Sequence, residues 1–97
     1  MLKFFVELVG TFFFISVILI AANANIKWVA FPIGFALAMV IYWGGSISGG
    51  HFNPAVSTVF FMNNKLSSSN YVLYIICQVL GGLGALMYYN AYKSFKA

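Results

Sequence analysis

Three long runs of apolar residues, separated by short polar stretches, organise the 97-residue chain. They cover about 4–22 (FFVELVGTFFFISVILIAA), about 28–45 (WVAFPIGFALAMVIYWGG) and about 71–92 (YVLYIICQVLGGLGALMYYNAY). Because a helix of about 20 apolar residues crosses a hydrocarbon core of ~30 Å, each run is long enough to span a bilayer. The pattern predicts an all-α membrane protein with three transmembrane helices.

A fourth apolar segment, PAVSTVFFMN at 54–63, is too short to span. As a helix it would measure ~15 Å, about half of the hydrocarbon core. We therefore expect a re-entrant segment in which SISGGHF at 46–52 enters the membrane as extended chain. Asn53 would then cap the half-helix and Pro54 would be its first residue. The alternative is a short interfacial helix preceded by an Asn-Pro turn.

The charge content supports a membrane protein and narrows its chemistry. The chain has five Lys, one Glu and neither Arg nor Asp, so its 6% of charged residues cannot cover a soluble core. The lysines form no cluster, which argues against nucleic acid as a partner. Cys77 has no second metal ligand in any recognisable motif. His51 likewise has neither a second metal ligand nor a nucleophile and an acid arranged with it. The sequence predicts a multi-pass integral membrane protein in contact with the lipid bilayer, with no enzyme, metal or cofactor site.

The N-terminal run has a second interpretation. Lys3, the apolar core after it and the triplet Ala22-Asn23-Ala24 resemble a secretory signal peptide with its cleavage site. Against this, the run exceeds the usual length of such a core, contains Glu7 and leads into further apolar runs. A transmembrane helix at 4–22 is therefore favoured.

The residues ahead of the half-helix suit a pore for small neutral polar molecules. Gly49 and Gly50 permit unusual backbone angles and close packing against neighbouring helices. The carbonyl groups of residues 49–52 would present a row of hydrogen-bond acceptors to a passing solute. The Asn53 amide and the positive end of the half-helix dipole would form a donor site that disfavours cations and protons.

Three motifs, in order along the chain, resemble the aquaporin, or major intrinsic protein, family. SISGGHFNPAVS is similar to the family's first NPA loop, ELVGTFFF to its E-x-x-G-T-F-x-F signature, and YIICQVLGGLGA to its Y-x-x-A-Q-x-x-G-A pattern. The resemblance covers nearly the whole chain and implies one aquaporin-like repeat, with three transmembrane helices plus one re-entrant half-helix. It also implies a channel for passive transport of water and of small neutral solutes such as glycerol.

The resemblance further implies roles for individual residues. Glu7 would accept hydrogen bonds from the backbone of the re-entrant loop, and Gln78 would brace the same loop. Ile33, with Phe31 and Phe35 as alternatives, would form the pore constriction together with Val56. The side chain of His51 would either fix the loop or contact solute. The NPA motif on the cytoplasmic side would be Asn53, Pro54 and Ala55, and the pore-lining backbone would be that of Gly49, Gly50, His51 and Phe52.

Helical spacing predicts which faces pack inside the bundle. One face of the first helix should point inward, and a stripe of small residues on the last helix favours close helix packing. The first face carries Glu7, Gly10, Thr11 and Phe14, and the second carries Gln78, Gly81, Gly82 and Ala85.

The sequence contains only one of the two inverted repeats that such a pore requires. A second copy of the chain, inserted antiparallel, would restore a two-repeat pore. The alternatives are a non-conducting truncated fragment, an accessory subunit that binds a full-length relative, and half of a secondary transporter with Glu7 as its sole carboxylate. The lysines do not orient the chain, since Lys3 and Lys65 would lie on one side and Lys27, Lys93 and Lys96 on the other.

Overall fold

The computed structural model describes residues 1–96 and folds them into four helices. These are α1 (Leu2–Asn23), α2 (Ala30–Ser48), α3 (Pro54–Met62) and α4 (Ser68–Lys96). The helices α1, α2 and α4 are long and apolar enough to cross a membrane. The predicted fold class of three transmembrane helices plus one shorter helix is confirmed, and the protein is a multi-pass integral membrane protein.

The ends of α2 differ from the apolar run that predicted it. The chain turns at Trp28, which has a left-handed φ of 61°, and the helix begins at Ala30 instead of 28. At its other end the helix continues through 46–48, so the prediction that 46–52 is wholly extended is wrong. No helix-breaking residue lies in this stretch. The helix ends where Gly49 adopts φ 94° and its N–H donates to the Gly45 carbonyl at 2.8 Å.

The last helix is also longer than its apolar run, 68–96 instead of 71–92. Ser67 caps the N-terminus of this helix. Its Oγ accepts from the Asn70 N–H at 3.2 Å, and its carbonyl accepts from the Tyr71 N–H at 2.8 Å. At 1.5 Å per residue α4 is about 43 Å long, which exceeds a ~30 Å hydrocarbon core. Its ends therefore project into the headgroup regions, where hydropathy no longer marks a helix.

Helix α1 packs against both α2 and α4, and α3 packs against α4. The helices α1 and α4 run in the same direction, because Phe4 meets Tyr74 near their beginnings (ring centroids 5.8 Å) and Phe12 meets Tyr88 further along (5.9 Å). Helix α2 runs opposite to α1, since Gly44, near its end, contacts Val6, near the beginning of α1. Both α1 and α4 therefore begin at the side of the membrane where α2 ends.

The close approach of α1 and α4 depends on one glycine. A Cβ at Gly81 would lie 2.6 Å from the Leu8 carbonyl oxygen and 3.1 Å from the Phe12 nitrogen, so no larger residue fits without moving a helix. Gln78 and Ala85 are buried in the same stripe. Around Gly82 there is open space, so its predicted place in this packing is wrong. Its direction on the helix differs from that of Gly81 by about 100°.

The inward face predicted for α1 is confirmed, whereas the apolar core is small. Glu7, Gly10 and Thr11 are buried, and Phe14 packs against the core. That core consists of Val6, Val40 and Phe52, with Phe14 and Leu37 at its edge. Most other large apolar side chains are exposed on the surface of the bundle. Lipid tails are as apolar as these side chains, so exposure to lipid carries no free-energy penalty, as expected for membrane-spanning helices.

Candidate functional site: the re-entrant loop and its support

The chain reverses direction after α2 and folds back into the bundle. Gly49 (φ 94°) and Gly50 (φ 68°) hold left-handed backbone angles that glycine adopts without strain. The reversal brings Gly50 back beside α2, where a Cβ would lie 3.4 Å from Gly45 Cα and 3.5 Å from Ile41 Cγ1. Residues 49–53 therefore form a tight loop that leads from the end of α2 to the beginning of α3.

Glu7 holds this loop from inside the bundle. Its side chain is 0% exposed, and its two carboxylate oxygens together accept four hydrogen bonds. One oxygen accepts from Ser48 Oγ (2.7 Å) and the His51 N–H (3.1 Å). The other accepts from the Phe52 N–H (2.8 Å) and Gln78 Nε2 (2.9 Å). Because a buried carboxylate is costly without such donors, Glu7 ties α2, the loop and α4 to α1.

Ser57, fully buried in α3, is a second centre of hydrogen bonding. Its Oγ accepts from Gln78 Nε2 at 2.8 Å and lies 2.8 Å from His51 Nδ1. Gln78 gives one amide hydrogen to Glu7 and the other to Ser57. Either Ser57 Oγ or His51 Nδ1 can donate in the bond between them, depending on the imidazole tautomer.

The His51 ring also packs inside the bundle. Its centroid lies 4.7 Å from that of Phe60 and 5.2 Å from that of Tyr74. The Tyr74 hydroxyl donates to the Ser48 carbonyl at 2.6 Å, so α4 fixes the end of α2 directly. The buried position of His51 fits a side chain that fixes the loop better than one that contacts solute.

Six side chains form this connected and buried set, and we call it the buried network. Its members are Glu7, Ser48, His51, Ser57, Tyr74 and Gln78. Three of these residues, Ser48, Ser57 and Tyr74, were not predicted from the sequence. Two signals were present, since Ser57 is polar within an apolar half-helix and Tyr74 precedes Gln78 by one turn on the same face. Ser48 had no signal, because its position depends on α2 continuing as a helix to that residue.

Phe52 anchors the loop by packing. Its φ of 53° is uncommon for a bulky residue and costs on the order of 1–3 kcal/mol. The N–H bond to Glu7 and the burial of the ring (2% exposed) compensate for this strain. The ring lies against Gly10 and Gly44, where neither α1 nor α2 has a side chain. The glycine of the ELVGTFFF motif thus provides the space that the ring needs.

Residues 53–55, which we call the exposed tip, lie on the surface of the bundle. The backbone of Asn53 is extended (φ −163°, ψ 125°), and its Oδ1 accepts from the Ala55 N–H at 2.7 Å. The prediction that Asn53 caps the helix and Pro54 begins it is confirmed. Within residues 1–96 the Nδ2 of Asn53 has no hydrogen-bond acceptor. Two N–H donors therefore remain free at the positive end of α3.

The exposed tip lies near the middle of the bundle in depth. The Phe52 ring packs on Gly10, which is about 12 Å along α1 from Leu2 at 1.5 Å per residue. A ~30 Å hydrocarbon core has its centre at about this depth. From there α3 returns to the side where α4 begins, because Phe61 stacks on Tyr71 with centroids 4.5 Å apart. The segment is thus re-entrant, and the alternative of a purely interfacial helix is wrong.

The two residues expected to form a constriction are separated within one chain. Ile33 lies near the beginning of α2 and Val56 in the first turn of α3, and both are half-buried. Gly44 contacts Val6 and α2 runs opposite to α1, so Ile33, eleven residues before Gly44, lies about 10 Å deeper along the bundle than Gly10. Val56 lies on α3, which returns in the other direction. Residues 1–96 of one chain therefore do not bring these two side chains to the same depth.

The sequence that folds in this way has counterparts among known proteins. A family model described as major intrinsic protein matches residues 1–97. The chain belongs to the major intrinsic protein family.

Relatives of this major intrinsic protein match most of its length. It is 34% identical to glycerol uptake facilitator protein-like 6 of Lactiplantibacillus plantarum, over 98% of this chain and 44% of the relative. Its identity to the glycerol uptake facilitator protein of Buchnera aphidicola is 36%, over 97% of this chain and 41% of the relative. Aquaporin-8 of Mus musculus is 42% identical over 80% of this chain and 32% of the relative. The chain therefore spans less than half the length of these curated relatives.

Proposed function

We propose that the protein is a membrane channel protomer for passive transport of water and of small neutral solutes such as glycerol. Two observations support this: family membership, and relatives that are named glycerol uptake facilitators and aquaporins. We further propose that the protomer conducts only in an oligomer that restores a two-repeat pore.

The observation that carries the proposal is the exposed tip. The Asn53 amide keeps two donors free near the centre of the bilayer, and polar groups at that depth cannot face lipid. Water and solute in a pore would satisfy these donors, and the carbonyl groups of residues 49–52 would supply acceptors along the path. The positive end of α3 would disfavour cations at the same point.

A second copy in antiparallel orientation is the partner that fits this geometry best. The exposed tip lies close to mid-depth, so a twofold axis in the membrane plane would place two tips opposite each other. The same axis would move the partner's Val56 to the other side of the centre, nearer to the depth of Ile33. The two separated residues would then form the constriction together, with one such constriction on each side.

The constriction would be apolar, and this fixes the expected selectivity. Aliphatic side chains would surround the solute, and the chain has no arginine that could add a charge. Such a pore would exclude ions through the cost of dehydration and would admit small neutral molecules. We therefore expect flux of water and glycerol to exceed that of any ion.

Stopped-flow measurements on proteoliposomes test the function. The wild-type protein should speed osmotic water flow and glycerol entry relative to empty liposomes. Asn53→Asp, which adds a carboxylate at the tip, should change solute flux or admit cations. Asn63→Asp is the matched control, because Asn63 is exposed at the other end of α3 and should leave flux unchanged. Absence of water flux with protein verified as inserted would contradict the channel.

A labelling experiment tests the antiparallel pair. In a Cys77→Ser background, Lys27→Cys places a single thiol in the exposed α1–α2 turn. If the chain inserts in both orientations, an impermeant maleimide should label about half of the molecules from outside intact cells. Uniform labelling, or none, would contradict the antiparallel arrangement. Flux that appears only after reconstitution with a full-length relative would instead support the accessory subunit.

A further inference from the structure

A cavity of about 520 Å³ opens between the ends of α1 and α4, at the end of the molecule opposite the buried network. We call it the interfacial cavity. It is lined by Ile20, Asn23, Ala24, Tyr89, Tyr92, Lys93 and Lys96. Because α1 and α4 run parallel, it lies where the apolar run of α1 gives way to the polar stretch NANIK. At that depth lipid headgroups meet the protein.

Its polar lining is cationic. Two ammonium groups point along one wall, and the only acidic side chain of the chain, Glu7, is buried near the opposite end. Both lysines are positioned by aromatic rings: Lys93 Nζ lies 4.9 Å from the Tyr89 ring centroid and Lys96 Nζ lies 5.4 Å from that of Tyr92. Lys96 Nζ also donates to the Tyr92 hydroxyl at 3.5 Å. The cavity therefore carries two ammonium groups in the last turn of α4, where they also offset the negative end of the helix dipole.

Apolar residues in the rest of the lining indicate what kind of molecule would bear the anionic group. Ile20 and Ala24 continue the lipid-facing surface of α1 into the cavity, so a ligand with a hydrocarbon portion fits better than a free ion. Asn23 uses one amide hydrogen on the Leu19 carbonyl (2.7 Å) and keeps the other for a ligand. A choline or ethanolamine ammonium would meet two like charges and no acidic side chain. The chemistry thus selects a phosphate group without an attached cation.

We propose that the interfacial cavity binds the phosphate headgroup of an anionic phospholipid. Lys93 and Lys96 are its electrostatic contacts, the two tyrosines position their ammonium groups, and the aliphatic wall receives the glycerol end of the acyl chains. The site is independent of the proposed transport activity, because it lies away from the re-entrant loop. It would hold a lipid at the outer edge of the bundle.

Native mass spectrometry of the detergent-solubilised chain tests this. With equimolar phosphatidylglycerol and phosphatidylcholine present, the wild type should retain phosphatidylglycerol preferentially. Lysines near a membrane surface contribute about fivefold each to binding of anionic lipid, so Lys93→Gln with Lys96→Gln should reduce that retention about 25-fold. The matched control, Lys27→Gln with Lys65→Gln, removes two exposed lysines outside the cavity and should retain most of the preference.

Three outcomes would overturn the proposal. They are equal retention of both lipids by the wild type, equal losses in the two double variants, and displacement of phosphatidylglycerol by an equal concentration of soluble glycerol phosphate. The third would assign the site to free phosphate esters instead of lipid. Circular dichroism of each variant verifies that the helices are retained, so that loss of binding reports on the cavity.

Discussion

The two sides of the re-entrant loop differ sharply in how their polar groups are satisfied. On the inner side, the buried network joins α1, α2, α3 and α4 through hydrogen bonds between 2.6 and 3.1 Å. On the outer side, the Asn53 side chain makes one hydrogen bond within residues 1–96, which it accepts from the Ala55 N–H, and it keeps two free donors. The loop is thus held by hydrogen bonds within the chain, while the Asn53 amide donors on its outer side have no acceptor within residues 1–96.

Because of this difference, stability and transport should depend on different side chains. Side chains of the buried network determine where the loop lies, so their replacement should lower the free energy of unfolding. Side chains of the exposed tip contribute little to that energy, so their replacement should change flux with the fold intact. Unfolding in detergent, followed by far-UV circular dichroism, and flux in proteoliposomes measure the two effects separately.

Replacing Glu7 should have the largest effect. Glu7→Leu leaves four buried donors without their acceptor, and at about 0.6–1 kcal/mol for each bond the free energy of unfolding should fall by about 2–4 kcal/mol. Thr11→Val is the control one turn along the same face. The Thr11 hydroxyl is buried without a partner in residues 1–96, so its loss should cost nothing. A similar decrease for both variants would contradict the role of Glu7.

A methyl group at Gly81 should come next. Gly81→Ala forces the added Cβ against the backbone of α1, which should lower the free energy of unfolding by about 1–3 kcal/mol. Gly82→Ala adds the same methyl group in open space and should leave stability unchanged or raise it by up to about 1 kcal/mol through helix propensity. Thermal denaturation of the two variants side by side measures the difference. A neutral Gly81→Ala would mean that α1 and α4 are not this close.

Removal of the Ser57 hydroxyl should have a moderate effect. Ser57→Ala leaves His51 Nδ1 and one Gln78 amide hydrogen unpaired, so we expect a loss of about 1–2 kcal/mol. Thr58→Val alters the neighbouring hydroxyl, which bonds the Pro54 carbonyl at the less buried side of α3, and should cost less than half as much. Chemical denaturation gives both values. If Thr58→Val costs more, Ser57 is not the centre of hydrogen bonding in α3.

Changes at Asn53 should affect stability least. Asn53→Ala removes one helix cap and should cost about 0.5–1 kcal/mol, whereas Asn53→Asp keeps a good cap and should be nearly neutral. Both should nevertheless change flux in proteoliposomes, because both alter the free donors of the tip. A large loss of stability on Asn53→Asp would show that the tip belongs to the fold and would remove the contrast between the two sides.

Hydropathy and local residue preferences predicted most of the helices, but not all of their ends. Hydrophobic run length predicted α1, α2 and α4, because the cost of exposing polar groups to lipid restricts spanning segments to long apolar helices. Asn53 and Pro54 predicted the start of α3, because capping is a local preference. The ends of α2 and α4 differ from the approximate ends of their apolar runs, since hydropathy reports contact with lipid and not the extent of hydrogen bonding. Ser48 was missed for the same reason.

The sequence by itself determined the number of spanning helices, the short helix between them and the acid that had to be compensated inside an apolar run. Each of these follows from interactions among near neighbours or from transfer of single residues between water and lipid. The family resemblance implied that Glu7 and Gln78 support the loop, and the structure agrees, with Glu7 accepting from the N–H groups of His51 and Phe52 and from Gln78. The three-dimensional packing was needed to show that Gly81 packs while Gly82 does not, and that Ile33 and Val56 lie at different depths. These facts depend on distances between residues remote in the chain, which hydropathy and spacing do not encode.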